Sequence, residues 1–203
     1  MTTTMTIGRK RGIGFGALFF SVFGALWLTG AAALAYGRNV SIDTTIWAIG
    51  ALIFFAALRV ILTNKLPKGD AVLEAQLSRR GKIFMIVNVI QYAAIFLMVH
   101  LLGSYGYSDW QIPTVMLIVG LHFFPLAKLF SNRAHVLTGA ALVALAIIYP
   151  FAGHGPLDPV GSLGAGLILW AAAVHGLAGA TTSAAVVHQL KGKTWAWTGS
   201  GKH

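Results

Sequence analysis

The chain has no cysteine and, among 203 residues, only five acidic side chains. The absence of thiols excludes disulfides, thiolate metal sites and thiol nucleophiles. The five carboxylates are Asp43, Asp70, Glu74, Asp109 and Asp158, and none falls inside a long apolar run. Carboxylate proton relays, di-metal carboxylate sites and intramembrane aspartyl proteolysis therefore lack their principal residue. Ser21, Thr29 and Ser183 have no base and acid arranged around them, so serine hydrolysis has little support. No phosphate-cradling loop of the G-x-x-x-x-G-K-S/T kind occurs, which excludes an ATP-driven pump within this chain. The leading reading is of a non-enzymatic membrane protein. Charged residues make up 10% of the chain, against about 25% in an ordinary soluble domain.

What the chain does have is apolar length. Hydrophobic residues make up 57% of it and the mean hydropathy is +0.75. Six long runs stand at 13–36, 44–63, 83–103, 112–130, 136–152 and 160–187. Most are close to the roughly 17–25 residues that carry a helix across a hydrocarbon core of about 30 Å. Short alternating strands are absent from the pattern, so a β-barrel is excluded and the expected fold is all-α, a polytopic bundle of six transmembrane helices. The first run follows Arg9, Lys10 and Arg11 and ends near Ala33-Leu34-Ala35, a superficial likeness to a cleavable signal. It exceeds the roughly 7–15 residues of a signal core, so an uncleaved first helix is expected.

Positive charge sorts to alternate connectors. Lys65, Lys68, Arg79, Arg80 and Lys82 lie between runs two and three, Lys128 and Arg133 border the connection of runs four and five, and Lys191, Lys193 and Lys202 follow run six. The other three connectors hold Arg38 as their single basic residue, with Asp43, Asp109 and Asp158. Basic residues stay on the cytoplasmic side, so both termini are expected to be cytoplasmic, in a cell inner membrane. The net charge of +10 then reflects helix orientation and contact with anionic lipid, not nucleic acid.

Segment 64–82 is the longest connector. Asp70 is suited to cap a short amphipathic helix carrying Val72, Leu73 and Leu77, with Arg79 and Arg80 at its end, lying on the inner membrane surface. Asp43, Asp109 and Asp158 are expected to cap the even-numbered helices, with Pro159 in the first turn of the sixth. Tyr36, Tyr105, Tyr107, Trp110 and Tyr149 form an expected outer aromatic belt, and Trp195 and Trp197 an inner one. Gly12, Gly16, Phe20 and Gly24 on run one, and Ala172, Gly176, Ala180 and Ala184 on run six, repeat every four residues. Such small-residue faces bring helices close together in lipid, within one chain or in a homo-oligomer.

Function is sought in the polar groups that are costly to place in lipid. Asn88, Gln91 and Tyr92 share one face of run three, and Arg59 lies at a similar depth on run two. His122 and His175 stand at comparable depths on runs four and six; His100, His135, His154, His188 and His203 are expected to be interfacial or solvated. A membrane cavity lined by Arg59, Asn88, Gln91, Tyr92, His122 and His175 would suit a small anionic or hydroxylated ligand, or a lipid, in a transporter-like protein. A second reading pairs His122 with His175 as axial ligands of a b-type haem. A third is a structural or regulatory membrane subunit docking a partner through 64–82. No cofactor is expected under the first and third readings. A zinc site would need three or four donors at one depth, and only two are at hand.

Around His122, the stretch Gly120, Leu121, His122, Phe123, Phe124, Pro125, Leu126, Ala127 and Lys128 resembles a motif of small bacterial multi-helix membrane proteins of unknown function. The resemblance implies a membrane bundle and no particular activity. Pro125 has no N–H for the carbonyl of Leu121, so a kink is expected beside His122.

Overall fold

The computed structural model describes residues 2–64, 71–130, 132–152 and 154–197, with side chains for 8, 10–64, 75, 78–130, 132–152 and 154–180. Among the described residues the fold is helical throughout: α1 (Thr2–Tyr36), α2 (Val40–Thr63), α3 (Ala71–Ser104), α4 (Gln111–Phe130), α5 (Arg133–Ala152) and α6 (Pro159–Trp197), with a single 3-10 turn at Ser108–Trp110. All six helices contain a segment long and apolar enough to cross a membrane. The multi-pass helical architecture expected from the apolar runs is therefore present.

Helix extents differ from the hydropathy pattern where backbone signals outweigh it. α2 starts at Val40 because Asn39 takes the cap, accepting from the N–H groups of Ser41 and Ile42 at 3.1 and 3.2 Å. Asp43 sits one turn inside instead, and Asp109 lies in the 3-10 turn. Only Asp158 caps as expected: its carboxylate accepts from Val160 N–H at 2.9 Å and from His154 N–H at 3.0 Å. The connector helix is also not separate. Ala71 to Ser104 is one helix of 34 residues, about 50 Å long at 1.5 Å per residue, so the segment expected to lie on the membrane surface continues the third crossing. The proposed cap Asp70 and the stripe of Val72, Leu73 and Leu77 lie outside the described residues or side chains, as do Ala184, Trp195 and Trp197. α4 continues helically through Pro125.

Packing centres on α1 and α6, the most extensive helix pair, with α2 laid against both and α5, α4 and α3 following in sequence. Small residues permit the close approach. A methyl group on Gly166 would stand 2.9 Å from the carbonyl of Gly24, and one on Gly176 would meet Ile13 at 3.2 Å. Gly12, by contrast, is exposed, and a methyl there would meet nothing within 4 Å among the described residues, so the four-residue stripe of α1 is seen as a packing face from Gly16 onward. Two apolar cores result. One joins Ala17, Ala57, Val60, Ala173 and Leu177; the other joins Met116, Phe123, Leu142, Ala146, Tyr149, Ala165 and Leu169. Tyr149 thus belongs to the core and not to an aromatic belt, its hydroxyl donating to the Pro156 carbonyl at 2.8 Å. Tyr36, Tyr105 and Tyr107 are exposed at the end of the bundle opposite the basic connectors.

Candidate functional site

Six polar side chains are the expected cavity lining, and Arg59 stands on a different part of the bundle from the residues of α3. Arg59 is exposed on α2, which packs on α1 and α6, whereas Asn88, Gln91 and Tyr92 ride on α3, which packs chiefly on α4. Asn88 turns its amide back to its own helix, donating to the Phe84 carbonyl at 2.7 Å. Gln91 is half-buried and Tyr92 exposed. Lys128 is exposed near the end of α4.

The two central histidines differ in exposure. His175 lies on the exposed side of α6, beside Val174, and not toward the bundle interior. Ala173 is buried two positions earlier, and two residues correspond to about 200° around a helix. His122 is half-buried, with its ring in reach of the Val87 carbonyl on α3 and with His135 of α5 as an electrostatic neighbour. His175 turned outward and His122 turned toward α3 and α5 give no support to an iron held between them. Among the described residues no group of three or more His, Asp or Glu side chains is placed to hold a metal ion.

The sequence reading missed His135. Expected to be solvated, it is half-buried, with ring centroids 6.0 Å from Phe20, 6.0 Å from Phe123 and 6.2 Å from Phe130. Local structure explains its position. Asn132 accepts from the N–H of Ala134 at 3.1 Å, starting α5 immediately before His135. Thr138 and Leu142, three and seven residues on, are buried on the same face. That face meets α1 and α6 at their small residues, leaving a cleft lined by Gly16, Phe20, Asn132, His135, Thr138 and Gly176. The cleft holds about 30 Å³, room for about one or two water molecules. Thr138 donates to the Ala134 carbonyl at 2.9 Å, so its hydroxyl is satisfied while an oxygen lone pair still faces outward from its own helix.

Aromatic rings close the neighbourhood on the side of α3 and α4. Phe84 lies 6.3 Å from Phe19 and 5.9 Å from Phe130, and Phe20 lies 5.4 Å from Phe123. The imidazole of His135 thus combines hydrogen-bonding nitrogens with a ring-lined wall, next to backbone made accessible by two glycines. Such a mixture can orient a small polar molecule and exclude bulk water. Comparison with known protein families, with curated proteins and with solved structures finds no match to this chain.

Proposed function

We propose that this is a transporter-like or small-molecule-binding protein of the inner membrane, with both termini cytoplasmic and its ligand path beginning at the His135 cleft. One observation carries the reading: Asn132, His135 and Thr138 converge with Gly16 and Gly176 at the end of the bundle bordered by Lys128 and Arg133. Basic residues at that end favour the cytoplasmic side and attract anionic or hydroxylated solutes. His122, near His135, extends the polar path toward the bundle centre. The cleft of about 30 Å³ admits water and nothing larger, so this reading requires α5 to move along the small-residue faces of α1 and α6 when a solute binds.

The absence of cysteine makes the test clean. Thr138→Cys and a control Asn132→Cys are exposed to a membrane-impermeant thiol reagent from either side of sealed vesicles. Both should react from the cytoplasmic side and neither from outside. A Thr138→Cys protein that resists reagent from both sides while the control reacts would make the cleft a packing void and leave the structural-subunit reading. Reporter fusions at Pro67 and Arg133 should report cytoplasmic, and at Tyr107 and Gly155 external; an external signal at Pro67 would overturn the orientation.

A further inference from the structure

We propose that the groove between α1 and α2, at the end opposite the basic connectors, binds a phospholipid with a primary ammonium headgroup, of the ethanolamine class. The site shares no residue with the His135 cleft and does not depend on it. An open groove of about 570 Å³ is lined by Thr29, Arg38, Asp43, Thr44 and Trp47 among others. Arg38 and Asp43 face one another at its mouth, 3.7 Å apart. Their exposures differ sharply: the Arg38 side chain is 84% exposed and that of Asp43 18%. The carboxylate is therefore fixed under the mouth, while the guanidinium is free to swing.

Three observations point to this occupant. First, Arg38 is the single basic residue in the three connectors at this end, against the charge bias that orients the chain; a guanidinium held here matches a phosphate at headgroup level. Second, the groove adds an anion to that cation. A site of zero net charge suits a zwitterion, with the phosphate on Arg38 and the ammonium on Asp43, better than an anionic lipid. Ethanolamine has N–H groups to donate to the carboxylate; choline has none. Third, the hydroxyl of Thr29 is buried at the groove with no hydrogen-bond partner among the described residues. Thr29 lies two helical turns below the end of α1 at Tyr36, about 10 Å deeper at 1.5 Å per residue. That depth is where a lipid carries its glycerol and ester oxygens. The indole of Trp47, 42% exposed, lines the same groove as an amphipathic ring of the kind that anchors at the lipid interface. A free solute would use the charged mouth only; a lipid uses mouth and indole together, and reaches the covered Thr29 hydroxyl as the groove adjusts around it.

The test uses the full chain, delipidated in detergent and titrated with dioleoyl phosphatidylethanolamine, phosphatidylcholine or phosphatidylglycerol, with bound lipid counted by native mass spectrometry. One retained ethanolamine lipid is expected, preferred about tenfold over the other two, the worth of one charge-assisted hydrogen bond. Arg38→Gln and Asp43→Asn should each bring that preference close to unity. Arg38→Gln should also leave the lipid-free melting temperature unchanged, which separates lost binding from lost folding. Soluble glycerophosphoethanolamine in excess should not compete. Equal retention of the three lipids, or a preference that survives both substitutions, would overturn the proposal. Efficient competition by the soluble headgroup would overturn it too, assigning the groove to a free solute.

Discussion

Replacing Gly24 by Ala adds one methyl group at the tightest point of the α1–α6 contact. That methyl would stand 2.6 Å from Nε1 and 3.1 Å from Cγ of Trp170, well inside van der Waals contact. The indole has little room to retreat. Its N–H donates to the Ser21 carbonyl at 3.0 Å, which holds the ring against α1. The ring must therefore rotate out of its notch, which strains the packing and breaks the hydrogen bond. Overpacking costs about 1–3 kcal/mol and an unmade buried hydrogen bond about 1–3 kcal/mol. The helix itself gains about 0.5–1 kcal/mol from Gly to Ala, so the expected net loss is about 1–5 kcal/mol. Unfolding by SDS in mixed micelles, followed by circular dichroism, measures it. Gly12→Ala is the control, since a methyl there meets nothing within 4 Å; it should be neutral or slightly stabilising. Adding Trp170→Leu to Gly24→Ala should recover part of the loss, a coupling that a non-specific helix effect would not produce. Gly24→Ala and Gly12→Ala proteins of equal stability would refute the packing account.

Gly176→Leu should lower stability by about 1–3 kcal/mol, because its Cβ position already lies 3.2 Å from Ile13; an unchanged unfolding midpoint would mean that α1 does not close on this face. Arg59→Lys should leave stability and any solute binding as they are, since the side chain is exposed on α2; a loss on Lys substitution would show a bidentate contact that is absent among the described residues. His175→Ala should be silent, whereas His135→Ala should impair solute binding or uptake, and the purified protein should show no Soret band; a Soret band lost in His175→Ala would restore the haem reading. Asp158 gives a pH dependence. The N–H groups of His154 and Val160 hold its carboxyl below the usual carboxylate range. Stability from this cap is therefore complete above the unfolded carboxylate value and is lost as pH falls through the lower folded value. Asp158→Asn should flatten that acid limb, and an identical acid limb in the two proteins would remove Asp158 as its source.

Six helices were legible because a crossing is specified by apolar length, a property of composition that a neighbour cannot change. The ends were less legible because hydrogen bonding of a few backbone N–H groups decides them. Asn39 starts α2 four residues before the apolar run begins, and the acidic Asp43, the more conspicuous charge, is already inside the helix. α3 extends further in the same direction, starting at Ala71 ahead of the apolar run at 83–103. Arg79, Arg80 and Lys82 interrupt the apolar pattern but not the helix, since Lys and Arg are good helix formers and the chain there contains neither Pro nor a capping break.

The placement of polar groups was the least legible, because depth along a helix can be counted whereas rotation about its axis is set by the partner it meets. His122 and His175 have comparable depths and different fates for that reason. On α6 the buried positions are Ala165, Leu169, Ala173, Leu177 and Ala180, spaced by four or three residues as a face turned to the rest of the bundle demands. His175 falls between two of them and on the far side, so no adjustment of depth could bring it inward. On α5 the buried positions Thr138, Leu142, Ala146 and Tyr149 extend backward by three residues to His135. The same rule that removes His175 therefore recruits a histidine whose position in a connector argued for solvation. Small residues supply the signal that was available: the α6 face richest in Ala marks the side turned to α1, and a polar residue is a candidate for function in this bundle only when it continues such a face.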